Sequence, residues 1–494
     1  MPQRSKLIRS RDEWKNKAVS RADKIRGFRK AEKRLRGKIA ELKRRVEELE
    51  QASGGGQEKP GPAGEGIATT GQPAEVRALC VSLVVQAVVS YRSVPRILDL
   101  LGAATAFRLG WVPHFTSVIN WTLRLGLGLL KQVKAIDSPW LAIIDHSIDI
   151  GTKKALVVLR VRLDALSKRG AAIRLEDCEC IGLKISETVN GESVARDLGE
   201  IFMRAGTPKG IVKDCDATLR KGVRLWSEGQ GGPVQVIDDI GHSMANALRD
   251  EFEGTVAYRR FTALTAQGAN RLRQTDLAFL IPPKLRSKGR FQSIGNIGKW
   301  GGRMLDILAV KGRSKKGSLL ARLRTALPGF LLLKPFILRF ASTTRLVSQA
   351  MEIIKSQGIG QASHEQCVRL SEQLPKRSKV KRRLQNWLAR HMDVWSQMTA
   401  LPLLASSDII ESLFGNFKHI IERGPQADMN RTALLIPALC GNLDNATIAL
   451  ALNMASHHDL QMWGQENIPY TLRKKRQAFF RANESQKAGS ILLE

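Results

Sequence analysis

Five carboxylates in this chain occupy contexts where an acid is either costly or useful. Asp145 lies inside the apolar run WLAIIDHSIDI (140–150), an expensive place for a charge unless something compensates it. In a strand, alternation puts Leu141, Ile143 and Asp145 on one face. Asp149 shares that face about 13 Å further on, too far for one ion to bind both. Asp214 closes the short apolar run GIVKD (210–214), with Asp216 two residues on as its rival. Glu411 falls in SSDIIESLFGNFKHIIERG (406–424), which reads as a helix capped by Ser406 or Ser407. Ile410, Leu413, Phe414 and Phe417 form its buried stripe, and Glu411 lies beside that stripe with Gly415 and Lys418 on its own side. Glycine there admits a close backbone, and a lysine one turn beyond suits a phosphate.

Three hard oxygen ligands without cysteine or histidine suit Mg²⁺, with Mn²⁺ as a substitute. Two such ions about 3.5–4 Å apart clamp the attacking and leaving oxygens of an in-line phosphoryl displacement. The metal ligands and catalytic residues expected on this reading are Asp145, Asp214 and Glu411, with Asp216 as the alternate for Asp214. Taken singly, each acid is an ordinary solvated or paired residue; their joint occurrence in ordered contexts carries the reading. No Ser/His/Asp or Cys/His constellation calls for a covalent intermediate.

The elements that must position these acids follow from periodicity. Residues 140–150 and KKALVVLRVRLDAL (153–166) read as two strands joined tightly through Gly151-Thr152, and CECIGLKISE (178–187) as a third. A helix over Gly191 to Arg204 then leads to the strand ending at Asp214. Three antiparallel strands followed by a parallel one, reached through a helical crossover, imply an α/β RNase H-like mixed sheet. If the first and fourth strands are neighbours, Asp145 and Asp214 can converge. Residues 136–250 are read as the first part of this core, 251–395 as a large, basic all-α insertion, 396–425 as the second part with the glutamate helix, and 426–494 as a C-terminal helical region. The apolar stretch Leu327 to Ala341 is too short to span a membrane and contains Lys334 and Arg339, so it reads as buried interior.

Upstream, residues 1–51 carry apolar residues at heptad spacing (Leu35, Ile39, Leu42, Val46, Leu49), the seam of a basic coiled coil or of a single packed helix. Residues 52–74 form a Gly/Pro-rich linker. Residues 75–135 read as three helices, the spacing of a helix-turn-helix domain and equally of a plain bundle. In the helix-turn-helix case Ser117, Asn120, Arg124 and Lys131 face the DNA bases.

The chain has 494 residues, enough for about three domains, and 79 Lys plus Arg against 46 Asp plus Glu give a formal charge of +33. Such an excess points to a polyanion, double-stranded DNA first and an anionic membrane surface second. Its ordinary apolar and charged fractions, 43% and 25%, exclude disorder throughout. The first fifty residues hold 18 Lys or Arg against 8 acids, with no apolar leader, so a cytoplasmic, nucleoid-associated protein is expected rather than an exported one. Six cysteines without CxxC pairing support neither a zinc ribbon nor a disulfide framework. Segment 282–324 has twelve basic residues and one acid, a phosphate-tracking surface with Lys299, Arg303, Lys315 and Lys316 as representative contacts. Within it Trp300 reads as core or as a stacking platform for a base. A second basic cluster, KRSKVKRR (376–383), lies further on.

The order Asp145, Asp214, Glu411 resembles the DDE triad of cut-and-paste transposases, and three motifs carry the likeness over residues 75–425. VKDCDATL, with Leu219 five residues after Asp214, is similar to the second-aspartate motif of bacterial insertion-sequence transposases of the Mutator-like group. That group often has a glycine where Cys215 stands, which leaves Asp214 and Asp216 both open. In VQVIDDIGHSMANALRD (234–250), Asp239 and His242 match the group's C/D-x-x-H signature, which by position is structural and near the site. ESLFGNFK resembles the group's glutamate helix. The resemblance implies Mg²⁺-dependent cleavage at an element's end, transfer of the freed 3′-OH to target DNA, and a homodimer or higher oligomer holding two ends.

Overall fold

The computed structural model describes residues 74–104, 112–146, 153–169, 171–229, 234–285, 291, 294–312, 314–398, 402–421 and 430–485. The heptad segment, the linker to position 73 and Asp149 lie outside the described residues. Three helices, α1 (Ala74–Val85), α2 (Ser93–Ala104) and α3 (Phe115–Gln132), lead into β1 (Trp140–His146), β2 (Lys154–Arg162) and a short α4 (Leu163–Arg169). The second strand therefore ends earlier than its apolar run suggests. After Val161 the β-branched residues stop and helix formers take over in LDALSKR. Next come β3 (Cys178–Ser186), α5 (Gly191–Ala205), β4 (Gly210–Lys213), α6 (Ala217–Glu228), β5 (Gln235–Asp238) and α7 (Ile240–Phe252).

The five strands form one mixed sheet in the order β3-β2-β1-β4-β5. β1 pairs antiparallel with β2, Asp145 opposite Val157, and parallel with β4, Ile144 opposite Lys213. β4 and β5 are parallel, and α5 and α6 supply the crossovers. Period-2 alternation splits β1 between two cores. Ala142 and Ile144 meet Leu198, Phe202, Val223 and Trp226 of α5 and α6, whereas Leu141 and Ile143 face the larger core on the opposite side. Asp145 belongs by alternation to the second face.

Between the sheet and its last helix run α8 (Val256–Leu272), α9 (Ile294–Leu308), α10 (Leu319–Ala326), α11 (Lys334–Gln357), α12 (Gln361–Glu372) and α13 (Lys379–Met398). An aromatic cluster of Phe252, Tyr258, Phe261, Phe330 and Phe340 holds this block together, Phe252 meeting Phe340 edge-on at 5.0 Å and Phe261 tilted against Phe330 and Phe340 at 6.0 and 5.7 Å. Trp300 belongs to this interior. It is buried, and its indole N–H donates to the Leu280 carbonyl at 3.0 Å. The run from Leu327 becomes a 3₁₀ turn and the start of α11, with Phe330, Ile337 and Phe340 buried. The chain then forms α14 (Asp408–Ile421), α15 (Leu435–Ala438), α16 (Asn445–Met454), α17 (His457–Asn467) and α18 (Leu472–Ser485). A mixed five-stranded sheet with this many helices is compatible with an RNase H-like core carrying a helical insertion.

Much of α3 is engaged within the chain. Val118, Thr122, Leu123, Leu125, Leu127 and Leu130 are buried, and α3 packs on α15 and α16. Two glycines set the approach: a β-carbon at Gly126 would fall 1.7 Å from the Leu434 carbonyl oxygen, and one at Gly128 would fall 1.9 Å from that of Ala451. Arg124 is directed inward. Its Nε and Nη2 donate at 2.6 Å to the carbonyls of Ala455 and Leu452, closing the C-terminus of α16. Lys131 pairs with Asp459 at 3.1 Å, and Ser117 and Asn120 are half-buried. Arg124 is thus engaged as a cap within the chain, and one face of α3 belongs to the core.

Candidate active site

Asp145, one residue from the end of β1, is only 6% exposed, and its Oδ1 accepts the His146 N–H at 2.6 Å. Burial, then the neighbouring charge of Asp214, push its pKa up to about 7. Asp214 follows β4 directly, and pairing of β1 with β4 brings it beside Asp145. Burial raises its pKa too, opposed by His242.

Asp216 has a different task. It caps α6, its Oδ1 accepting the Thr218 and Leu219 N–H groups at 2.8 and 3.2 Å, and its pKa is lowered: those bonds outweigh the upward push of burial. Its own N–H donates to Asp214 Oδ1. Of the two candidates, Asp214 therefore directs a carboxylate oxygen at the cluster while Asp216 orients the turn that carries it.

Glu411 reaches the same place from the first turn of α14, whose apolar stripe of Ile410, Leu413, Phe414, Phe417 and Ile420 is buried. Between the acids stands His242 of α7, its Nδ1 3.4 Å from Asp214 Oδ2 and its Nε2 3.4 Å from Glu411 Oε1. Burial alone would lower the imidazole pKa. The hydrogen bond to Glu411 and the charges of Asp239, Asp214 and Glu411 prevail and raise it to about 9.

Asp239 fixes this arrangement from below. It is fully buried, caps α7 by accepting the His242 N–H at 2.8 Å, and with its other oxygen accepts Ser407 N, Ser407 Oγ and Ser406 Oγ at 2.6, 3.0 and 3.2 Å. One side chain thus sets both the helix that carries His242 and the entry to the helix that carries Glu411. The Ile240 N–H to Ala405 carbonyl bond at 3.0 Å and the Lys355 ion pair with Asp408 tie the same junction to α11.

The adjoining residue, Asp238, anchors a second polar cluster that sequence reasoning missed. Its carboxylate pairs with buried Lys213 and with Arg390, both at 2.5 Å, and its backbone N–H donates to His391 Nε2 at 3.0 Å. The Trp387 indole donates to the Asp238 carbonyl at 3.1 Å. Burial holds the His391 pKa down at about 4, so the ring is neutral and accepts the Asp238 N–H. The run of basic residues along α13 gives no sign of this cluster, because its partner strand lies far away in the chain.

Other expected contacts lie apart from the carboxylates. Lys418 is exposed two turns along α14 from Glu411, and a β-carbon at Gly415 would meet nothing, so no part of the described chain uses that opening. Lys299, Arg303, Lys315 and Lys316 are exposed in the helical block. Among the described basic residues of 282–324, Arg322 and Arg324 are committed internally: Arg322 pairs with Asp276, and Arg324 donates to the carbonyls of Leu308, Val310 and Gly312.

The donor chemistry of Asp145, Asp214 and Glu411 fits a hard divalent cation, since buried Asp145 is held against a second acid with little compensation beyond the His146 N–H and His242. Among the described residues, however, no group of three or more His, Cys, Asp or Glu side chains stands at metal-holding distances. The imidazole occupies the space between Asp214 and Glu411.

No family model matches this sequence, and no curated protein matches it. Among solved structures the chain is similar to the Drosophila P element transposase strand transfer complex, with a TM-score of 0.35 and 11% identity over 85% of this chain and 100% of that one.

Proposed function

We propose that this chain is a DNA transposase of the DDE type, with the five-stranded sheet as an RNase H-like core and residues 251–395 as its helical insertion. The observation that carries the reading is the convergence of Asp145, Asp214 and Glu411, from β1, the end of β4 and α14, at one edge of the sheet beside His242. Asp145, Asp214 and Glu411 are the residues that would hold Mg²⁺ once the His242 imidazole leaves its place between Asp214 and Glu411, and the ion would supply charge neutralisation to the displacement. Asp239 holds α7 and α14 in register, and Asp216 orients the turn bearing Asp214. Without the ion, His242 as an imidazolium keeps Asp214 and Glu411 from repelling one another and orients both. The reaction consists of two in-line displacements at phosphorus. Water first cuts at the element's end and frees a 3′-OH, which then attacks a phosphodiester of the target. Each step exchanges one P–O bond for another, so neither an energy source nor an enzyme-bound intermediate is needed. Two ends must be held together, so the working form is at least a dimer.

The test uses the full chain with Mg²⁺ or Mn²⁺ and duplex DNA carrying the element's terminal repeats. Asp145→Asn, Asp214→Asn and Glu411→Gln should each lower strand cleavage and joining by at least about a hundredfold while end binding is retained. Full activity in one of them removes that residue from the site, and loss in Asp216→Asn but not Asp214→Asn exchanges those two. Cleavage without joining of the 3′-OH identifies a structure-specific nuclease instead. Binding without either reaction in the unsubstituted protein identifies a DNA-binding regulator.

A further inference from the structure

Cys215 and Ser243, the chain neighbours of Asp214 and His242, touch through Sγ and Oγ at 3.1 Å and form one end of a cavity of about 540 Å³. The cavity runs between α7 and α13 and is rimmed by Arg220, Arg249, Arg383 and Arg390. On α13, Lys379, Arg383, Asn386 and Arg390 recur at helical spacing on the face away from the buried Leu384, Leu388 and His391. At 1.5 Å per residue, that stripe is about 16 Å long. A second cavity, also about 540 Å³, continues along the same two helices and adds Lys379 and Arg382.

Internal acids account for only part of this charge. Asp238 takes Arg390, and Asp250 takes Arg383 at 2.9 Å and lies 3.8 Å from Arg249. Arg249, Arg383 and Arg390 remain 52%, 47% and 58% exposed, so these pairs are solvent-accessible and replaceable. Arg220 donates to the Cys215 carbonyl, which aims its guanidinium along the wall beside Asp214. The side-chain amides of Asn246 and Asn386 line the groove without a hydrogen-bond partner among the described residues. Planar guanidinium groups with unengaged amides between them match the oxygens of phosphodiesters.

We propose that this groove is the track for the backbone phosphates of the nucleic-acid strand whose scissile bond enters the carboxylate site. The ligand class rests on the function proposed above, whereas the anion-binding groove rests on its own residues. Binding is backbone-directed and independent of base sequence.

The test is fluorescence anisotropy of labelled DNA oligonucleotides on the full chain across a salt series, without divalent metal. Arg249→Gln, Arg383→Gln and Arg390→Gln should each weaken binding about three- to tenfold, equally for unrelated sequences, and lower the slope of log K against log salt by about one. Arg196→Gln, on α5 across the sheet, should change neither. Asn386→Asp removes no internal pair, keeps the fold and should weaken binding by a similar factor, so the result does not depend on the stability of the arginine variants. Unchanged affinity and slope in Asn386→Asp and the arginine variants overturns the groove. So does loss of nucleoside triphosphate binding, but not of oligonucleotide binding, in the same variants. Failure of the transposase reading appears instead as absence of metal-dependent cleavage in the unsubstituted protein, which leaves these binding measurements unaffected.

Discussion

Two histidines, on different helices but each held by one of the adjacent acids Asp238 and Asp239, show how one local sequence serves opposite ends. His391 has a backbone N–H as its partner on one ring nitrogen and the Trp387 carbonyl on the other, so it packs as a neutral ring with its pKa near 4. His242 faces a carboxylate on each nitrogen, and its pKa rises to about 9. Asp238 is matched by Lys213 and Arg390, whereas the acids around His242 are more numerous than the cations that face them. A polar cluster that is satisfied stiffens the fold, and one left short of positive charge is arranged for something that arrives from outside.

The largest stability effect expected from breaking this contrast is at the brace between the clusters. Asp239→Ala removes a helix cap and leaves the Ser406 and Ser407 groups without their buried acceptor. It should cost about 3–5 kcal/mol in denaturant unfolding. A loss below about 1 kcal/mol would show that the junction is held by apolar packing alone.

His391→Ala should cost somewhat less, about 2–4 kcal/mol, through a cavity and an orphaned Asp238 N–H. The two rings should also respond oppositely to pH. The folded-state pKa of His242 is raised from the ordinary imidazole value of 6.5, so its stabilising contribution is complete below about pH 6.5 and disappears as pH rises through about 9. That of His391 is lowered, so its contribution is complete above about pH 6.5 and is lost as pH falls through about 4. Stability profiles of His242→Gln and His391→Gln should therefore approach that of the unsubstituted protein at opposite ends of the pH range. Convergence at the same end would contradict the contrast.

The smallest effect has the opposite sign. Asp145 is raised from 3.8 to about 7, so ionising it in the folded state costs stability from about pH 4 upward, with the full cost present above pH 7. Asp145→Asn should therefore raise stability at pH 8 by about 0.5–2 kcal/mol while removing activity. A lower melting temperature at that pH would mean that Asp145 is compensated after all.

Much of this arrangement is legible in the chain. Asp145 stands out because an acid in an apolar strand breaks alternation, and Glu411 because it borders a clean helical stripe. The strand order brings β1 and β4 together as the candidate site requires. β5 does not stand out because only Ile237 of its four residues is buried, unlike the equally short but wholly buried β4, and the internal contacts of α3 are not legible because its sequence resembles that of any helix that opens with small polar residues. What sets α3 apart is the carbonyl of Leu434 against Gly126 and that of Ala451 against Gly128, contacts made with segments hundreds of residues later.

The sequence by itself determined which residues are acids, which runs alternate with period two and which with period 3.6, and that the whole is strongly basic. Those properties depend on each residue and its near neighbours. Only the tertiary structure decided that Asp214 rather than Asp216 turns toward the cluster, that Arg124 closes a helix within the chain, and that His242 stands between two carboxylates. Each of those outcomes depends on which distant backbone group or charge arrives at the side chain. Burial and Coulomb interactions, unlike periodicity, are set by neighbours in space.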